Sequence, residues 1–323
     1  MTLHIGGKYM EIIKNTAFKF VSKRKKFYQI SAAIIIIGIM SLLFQGLNYG
    51  IDFAGGTLMQ LDFNQNVSIT DIRNVLGEMN LAGSTIQLLS NNEFVIRTDQ
   101  IALQQREEIL NVLQNRIGDF EVLKVEMVGP VIGESLKRLA FFAVIFAFIG
   151  IILYITARFE FRYAITSIIA LGHDVLIALA VLSVLQKEIS IPIIAAILTI
   201  VGYSLNNTIV IFDRLRENIK LKTRSALEDT IDLSINQSLS RTINTAITTL
   251  LPVLALYFFG GTLSDFAFVL LIGIVVGTYS SICMAGPLLL ELKKRTKVSF
   301  MATTLTKTEQ NNRSKKIKSK KKK

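Results

Sequence analysis

The hydrophobic residues of this chain are concentrated in six long blocks. A helix needs about 20 mostly apolar residues to cross roughly 30 Å of hydrocarbon, and every block is about that long. The blocks are residues 28–47, 138–157, 163–185, 190–212, 241–259 and 266–290. They predict an integral membrane protein with six transmembrane helices. No clear cleavage site follows the first block, so we interpret it as a retained anchor rather than a signal peptide.

The segment between the first two blocks follows a different pattern. Short runs that alternate apolar and polar residues are typical of half-buried strands, and Ser68 is a typical N-cap of a helix. The predicted strands are 57–63, 85–89, 93–97 and 121–128, and the predicted helices are 68–80 and 102–117. The order β-α-β-β-α-β predicts a ferredoxin-like α+β domain over residues 48–137, inserted between the first and second transmembrane helices.

The charge pattern predicts the orientation in the membrane. The net charge is +12, and the basic residues cluster before the first block, after the second, after the fourth and in the C-terminal tail. With six spans these four regions lie on one side, which the positive-inside rule identifies as the cytoplasm. Residues 51–136 hold twelve acidic and five basic residues and lie on the other side. We expect a multi-pass protein of the bacterial cytoplasmic (inner) membrane with both termini in the cytoplasm.

The segments outside the spans complete this organisation. Residues 1–27 mix apolar and basic residues at helical spacing, which predicts an amphipathic segment on the cytoplasmic face of the membrane. We expect a five-helix bundle over 138–292 with a cytoplasmic loop at about 213–240, and a disordered Lys-rich tail over 293–323. The tail suits anionic membrane lipids, with ribosomal RNA as the alternative partner. Poly-Lys carries no sequence specificity for a nucleic acid.

Two of the apolar blocks contain polar residues at membrane depth, where polar side chains are costly and usually face a partner. The fourth block contains Ser204, Asn207 and Thr208, and the fifth contains Arg241 and Thr245. Asn207 and Arg241 each lie about 26 Å from the outer end of their span at 1.5 Å per residue. Two neighbouring antiparallel helices would present them at one level. The alternative is that Arg241 extends its charge toward the cytoplasm.

The third block contains a carboxyl group near the middle of the membrane. Asp174, preceded by His173, could bind and release a proton during a conformational cycle, or it could be a neutral, hydrogen-bonded structural residue. A His-Asp pair also occurs in metal-dependent hydrolases, but the chain has only one other histidine, His4. No nucleophile elbow, Walker loop or Cys-x-x-Cys is present. We therefore predict neither an enzyme nor a bound cofactor or metal.

Several motifs in sequence order resemble those of the SecF family, the smaller subunit of the SecD–SecF accessory complex of the bacterial protein-export translocon. The similarity covers nearly the whole chain except both tails. The motifs are Gly50–Thr57, Val128–Gly133, His173–Val175, Val201–Asn218, Ser240–Thr242 and Phe259–Gly261. The family resembles half of an RND-type transporter, with SecD supplying the pseudo-symmetric other half.

The resemblance implies a set of partners and an energy source. It implies a heterodimer with SecD, contacts with the SecY-SecE-SecG channel, SecA and YajC, and an unfolded exported polypeptide as substrate. It also implies that a gradient of H⁺ or Na⁺ drives late translocation. The family commonly has an Asp at the position of Asn207 and an Arg at the position of Arg241. The Arg is present in this chain, whereas Asn207 cannot titrate.

Three accounts of the missing acid remain open. A carboxylate of SecD could carry the proton while Asn207 holds Arg241 by a hydrogen bond, which we favour slightly. Asp174 could take a larger part. The coupling ion could instead be Na⁺, for which the oxygens of Asn207, Ser204 and Thr208 are suitable hard ligands.

We therefore predict an ion-coupled accessory subunit of protein export. The residues of the predicted ion gate are Arg241, Asn207, Ser204, Thr208, Asp174, His173 and Thr245. Asp52, Gly55 and Gly56 are predicted to couple the first span to the outer domain. The alternative functions are one half of an RND-type exporter of small molecules or lipids, and a passive scaffold for translocon assembly.

Overall fold

The computed structural model describes residues 17–89, 92–221 and 226–293. In chain order its elements are α1 (Arg24–Phe44), β1 (Asn48–Tyr49), α2 (Ile51–Ala54), β2 (Gly56–Phe63), α3 (Ile69–Glu78), β3 (Thr85–Leu88), β4 (Glu93–Thr98), α4 (Leu103–Arg116), β5 (Phe120–Val128), α5 (Pro130–Arg158), α6 (Phe161–Val184), β6 (Glu188–Ile189), α7 (Ile191–Leu221), α8 (Leu227–Phe259) and α9 (Ser264–Ser280). A π-helical turn, Ser281–Ala285, continues α9 toward the C-terminus.

The prediction of six membrane-spanning helices is confirmed. Helices α1, α5, α6, α7 and α8, together with the last helical segment Gly261–Lys293, are long and apolar enough to cross a membrane. Helices α6, α7 and α9 have about half of their residues buried and form the centre of the bundle. Helices α1, α5 and α8 surround them and leave most of their surface exposed.

The structure corrects two predicted boundaries. The first span begins at Arg24 instead of residue 28, and residues 20–23 form a turn rather than part of an amphipathic helix. The predicted loop at 213–240 is mostly helical, because α7 continues to Leu221 and α8 begins at Leu227. The predicted ends lie where the sequence changes from apolar to polar. Most polar residues can continue a helix beyond the membrane, so this change does not mark the end of the helix. Residues 1–16 and the Lys-rich tail from 294 lie outside the described residues.

The α+β domain has the predicted element order. Its four strands form an antiparallel sheet in the order β3-β4-β2-β5. Ser68 caps α3 as predicted: its hydroxyl accepts a hydrogen bond from the Asp71 amide at 3.1 Å, and the Asp71 carboxylate accepts one from the Ser68 amide at 3.2 Å. Helices α3 and α4 pack on one face of the sheet around Met59 and Phe94. The predicted location of this domain outside the cytoplasm stays a prediction.

Two left-handed glycines join the first span to this sheet. Gly55 has φ +79° and Gly56 has φ +132°, conformations that favour glycine. A Cβ on Gly56 would lie 2.5 Å from the carbonyl oxygen of Thr98, so the backbone of β4 leaves no room for a side chain. The connection between span and domain is therefore tight.

Small residues also set the spacing of the central helices. A Cβ on Gly277 of α9 would lie 2.8 Å from the Cβ of Ser204 of α7, and one on Gly273 would lie 2.1 Å from Ile200. Glycines at spacing i, i+4 let two transmembrane helices approach closely. This face of α9 therefore packs within the bundle, next to the polar residues described below.

Candidate functional site

A fully buried carboxyl group lies where α6, α7 and α9 meet. Asp174 of α6 is 0% exposed. Its Oδ1 lies 2.8 Å from His173 Nδ1, and its Oδ2 accepts hydrogen bonds from Ser204 Oγ at 2.5 Å and Ser280 Oγ at 2.8 Å. A carboxylate only accepts hydrogen bonds, so three surrounding donors match its ionised form.

Further hydroxyl groups extend this cluster toward the C-terminal end of α7. Thr208, one turn after Ser204 on the same face of α7, has its Oγ1 2.9 Å from Ser281 Oγ. The Ser281 hydroxyl also lies 2.8 Å from the carbonyl oxygen of Gly277 and 3.3 Å from that of Ser204. Buried polar groups in a membrane have to be satisfied within the protein, and this network does so. Sequence analysis did not select Ser280 and Ser281. Their position three and four residues after Gly277, within an apolar span, was the available signal.

The Asp174 carboxyl has no basic partner that balances a negative charge. Among residues 17–89, 92–221 and 226–293, no Lys or Arg forms an ion pair with it. The neighbouring His173 is 5% exposed, and its Nε2 has no hydrogen-bond partner within the described chain. An imidazolium would leave that Nε2–H unpaired in an apolar setting, so the hydrogen bonds fit a neutral ring with its proton on Nδ1.

Asn207 lies on a face of α7 that is rotated about 60° from Ser204, since successive helical residues turn by about 100°. It shares this face with Asn218, whose Nδ2 donates to Ser234 Oγ at 2.9 Å and to Gln237 Oε1 at 2.8 Å. Asn207 is 2% exposed, and its Nδ2 has no hydrogen-bond partner among the described residues. The buried Oδ1 of Asn244 on α8 likewise has none in those parts of the chain. Because α7 and α8 are antiparallel, the bonds from Asn218 to Ser234 and Gln237 place Asn207, eleven residues earlier, level with residues 245–248 of α8.

Arg241 lies one to two turns closer to the N-terminal end of α8 than this level, and it is exposed. Within the described ranges, no hydrogen bond or ion pair joins its guanidinium to another residue, and it does not contact Asn207 in that way. The hydroxyl of Thr245 donates to the carbonyl oxygen of Arg241 at 2.9 Å, a bond within their own helix. Equal depth along two helices says nothing about the direction around each axis. The predicted gate therefore separates into a buried cluster at Asp174 and an exposed cation at Arg241.

Helices α7 and α8 carry other exposed residues besides Arg241. Gly202 and Asn206 of α7 and Thr248 of α8 are exposed, although the spans that contain them are apolar enough to cross a membrane. Asn206 was missed as a candidate. Since successive helical residues are rotated by about 100°, Asn206 lies outside the bundle while Asn207 lies inside it.

Comparison with known proteins identifies the family. The family model "Protein export membrane protein SecD/SecF, C-terminal" matches residues 108–295, and the model "SecD/SecF GG Motif" matches residues 41–67. The chain is 40% identical to the protein translocase subunit SecF of Calditerrivibrio nitroreducens, over 89% of this chain and 98% of that protein. The SecF subunit of Desulfurispirillum indicum is 42% identical over 85% of this chain and 92% of its own length. The chain belongs to the SecF family.

The structural comparison agrees with this assignment. The crystal structure of SecDF, a translocon-associated membrane protein from Thermus thermophilus, superposes with a TM-score of 0.81 at 40% sequence identity. The match covers 87% of this chain and 39% of the SecDF chain. As a member of the SecF family, the chain is a multi-pass membrane protein and an accessory subunit of protein export.

The predicted coupling residues of this SecF-family chain lie at the ends of the spans next to the α+β domain. Asp52 Oδ2 accepts a hydrogen bond from the backbone amide of Ile191 at 2.8 Å, so Asp52 holds the start of α7. The contact to the domain is made by Glu188, which lies 2.5 Å from Arg97 of β4. Burial raises the pKa of the Glu188 carboxyl, and the Arg97 guanidinium opposes that rise. Sequence reasoning missed this ion pair because its members are far apart in the chain.

Proposed function

We propose that this chain pairs with SecD in the bacterial cytoplasmic membrane, with both termini in the cytoplasm, and converts an ion gradient into late steps of protein export. The observation that carries the proposal is the exposed Arg241 guanidinium within a span. An Arg at membrane depth is costly when it faces lipid. A partner that covers α8 and offers an acceptor would remove that cost, and exposed Asn206 and Thr248 supply polar groups for the same contact.

The solved SecDF chain supports this choice of partner, because this chain matches only 39% of it. The remaining part of such a protein is available to supply the missing surface. The other proposed contacts, with the SecY-SecE-SecG channel, SecA, YajC and an unfolded polypeptide, rest on the family resemblance alone. None of these roles requires catalysis by this chain.

Asp174 is the group that we propose for ion coupling within this subunit. It is titratable, fully buried and surrounded by donors, whereas Asn207 is neither titratable nor hydrogen-bonded to Arg241. Of the three accounts left open by the sequence, a larger part for Asp174 is thus the best supported. His173, Ser204 and Thr208 belong to the same cluster, whereas Asn207, Arg241 and Thr245 would lie near the contact with SecD.

The outer ends of the spans provide a route to the α+β domain. Asp52 holds the start of α7, and the Glu188–Arg97 ion pair ties the α6–α7 connection to β4. We propose that a shift of α6 or α7 at Asp174 is passed along these helices to the domain. The glycines at 55 and 56 hold the other connection between membrane and domain.

Replacing Arg241 with Ala tests the proposal. We expect at least about a tenfold loss of affinity for SecD and a loss of gradient-dependent export, because truncating one member of a buried charged pair costs about 2–5 kcal/mol. Copurification with SecD and export of a reporter protein in a strain depleted of the native subunit are the measurements. Arg241→Lys should retain part of both, since it keeps the charge.

The matched control is Arg216→Ala. Arg216 is exposed, and its Nη1 makes a long contact of 3.5 Å with the carbonyl oxygen of Arg158. It should leave both measurements unchanged. A passive scaffold, which the absence of an acid at Asn207 favours, predicts that Arg241→Ala exports normally. That result would refute the proposal that Arg241 joins this chain to SecD for gradient-dependent export.

A further inference from the structure

We propose that Asp174, Ser204 and Ser280 bind a monovalent metal cation, Na⁺, inside the bundle of this chain. The inference rests on the proposed ion coupling and deepens it by naming a binding site and its occupant. The site is separate from Arg241 and from Asn207, which face other directions.

Three oxygen atoms from three helices converge at this point. The hydroxyls of Ser204 on α7 and Ser280 on α9 both bind the same atom, Oδ2 of Asp174 on α6, at 2.5 Å and 2.8 Å. All three residues are 0% exposed. Carboxylate, hydroxyl and carbonyl oxygens are the ligands that hard cations prefer.

More oxygen ligands lie one helical turn away. The Ser281 hydroxyl lies between the carbonyl oxygens of Gly277 and Ser204, at 2.8 Å and 3.3 Å, and contacts the Thr208 hydroxyl at 2.9 Å. Hard cations take about six oxygen ligands. Asp174 Oδ2 and the hydroxyls of Ser204 and Ser280 supply three at one point, and the oxygens around Ser281 continue the same polar cluster. The imidazole of His173 contacts the other carboxylate oxygen, Oδ1, and leaves Oδ2 to the hydroxyl groups.

The charge of the cluster selects a monovalent ion. One carboxylate supplies a single negative charge, and the described residues contain no group of three or more His, Cys, Asp or Glu side chains that could hold a metal ion. A divalent cation would leave a net positive charge in an apolar interior, which is costly. A monovalent cation would neutralise the Asp174 carboxylate, for which no basic partner is present among the described residues.

The hydroxyl protons have other acceptors when a cation binds. The Ser280 hydroxyl already lies 3.2 Å from the carbonyl oxygen of Gly277, one turn earlier in α9. Ser204 lies within a helix, where a hydroxyl can donate to the carbonyl four residues before it. Each Oγ can therefore turn its proton away from Asp174 and present a lone pair to the ion.

The helix geometry beside the cluster is an independent observation. The π-helical turn Ser281–Ala285 begins at the residue after Ser280. Such turns interrupt the regular bonding of a helix and occur frequently at functional sites. In transporters, backbone carbonyls released from regular helix geometry coordinate Na⁺. Ser280 and Ser281 thus lie where α9 changes its hydrogen-bond pattern.

Thermal unfolding of the full chain in complex with SecD tests the site. The complex, purified in detergent, would be titrated with NaCl, KCl or choline chloride at constant ionic strength and followed by circular dichroism. We expect NaCl alone to raise the unfolding midpoint, in a saturable manner, by about 2–4 °C. The Ser280→Ala variant should lose this response while it keeps the midpoint measured in choline chloride to within a few degrees.

The matched control is Thr278→Ala, which removes a half-buried hydroxyl of the same helix whose only described bond is to the Ile274 carbonyl. It should respond to Na⁺ like the wild type. An equal response of Ser280→Ala and wild type would overturn the site, as would the absence of any Na⁺ response. Asp174→Asn serves as a second variant and should also lose the response.

A further measurement separates this site from the proposed function. If acidification stabilises the wild-type complex but not Asp174→Asn, and Na⁺ has no effect, the occupant is a proton and the Na⁺ site is refuted, while ion coupling at Asp174 survives. Loss of export in Arg241→Ala together with no Na⁺ response would likewise refute only the site.

Discussion

The cluster at Asp174 and the face around Arg241 lie in the same bundle but meet the membrane in opposite ways. Asp174 has its hydrogen-bond acceptors satisfied by Ser204, Ser280 and His173, all within this chain. Arg241 is exposed and has no side-chain partner among the described residues. A polar group that is satisfied inside a chain can serve that chain alone, whereas an exposed one at membrane depth requires a second protein. This contrast is the basis of our proposals that Asp174 binds the ion and that Arg241 contacts SecD.

The largest expected effect distinguishes the two regions by stability. Asp174→Ala should destabilise the chain by about 3–5 kcal/mol, because it leaves three buried donors without their acceptor. Arg241→Ala should change the stability of the isolated chain by no more than about 0.5 kcal/mol, since the residue is exposed there. Denaturant unfolding of both purified variants is the measurement. Similar losses in both would remove the distinction between the regions.

A smaller effect is expected from the contact that brings α7 and α9 together. Gly277→Ala should cost about 1–3 kcal/mol, because its Cβ would lie 2.8 Å from the Cβ of Ser204 and would force the helices apart. It should also weaken the proposed Na⁺ response, since Ser204 and Ser280 would separate.

Gly202→Ala is the matched control on the exposed side of α7, where a Cβ would meet nothing within 4 Å. This change should leave stability unchanged or raise it by up to about 1 kcal/mol through helix propensity. Equal losses in the two glycine variants would show that the spacing of α7 and α9 does not depend on Gly277.

The smallest effect concerns the outer end of the bundle. The pKa of Glu188 is raised above its ordinary value of 4.5 by burial. A raised pKa means that the folded protein binds the proton more tightly than the unfolded chain does. The resulting stabilisation is fully present below pH 4.5 and is lost as the pH rises through the raised pKa.

Glu188→Gln should flatten this dependence in thermal unfolding measured against pH. Glu121→Gln, at an exposed position of β5, is the control and should keep the wild-type profile. A wild-type profile that is flat across the range would contradict the assignment of this dependence to Glu188.

Much of the architecture could be predicted from the sequence because it depends on local patterns. Six apolar runs identified six spans, alternating residues identified the strands, and Ser68 identified the start of α3. The ends of α7 and α8 could not be predicted in this way. Their polar turns are stabilised across the pair by bonds such as Asn218–Ser234, which no local pattern reveals.

The candidate site could be predicted in part. Asp174, His173, Ser204 and Thr208 were selected because polar residues are costly in a membrane, and the structure brings them into one network. The pairing of Asn207 with Arg241 was not found, because depth along a helix was estimated without the direction around its axis. Ser280 was not selected, because its contact with Asp174 depends on the close approach of α9 to α7 at Gly277.

The hydrogen bond from Ile191 to Asp52 has a mechanical consequence. Helix α7 has 31 residues, so it is a rod of roughly 46 Å. Ser204 lies near its middle, and Asp52 binds its first residue, Ile191. If the middle of such a rod is held in place, a tilt displaces its end by a distance proportional to the tilt angle and to half the length of the rod. A small rotation of α7 about the Ser204 contact would therefore displace the short link between the first span and the sheet.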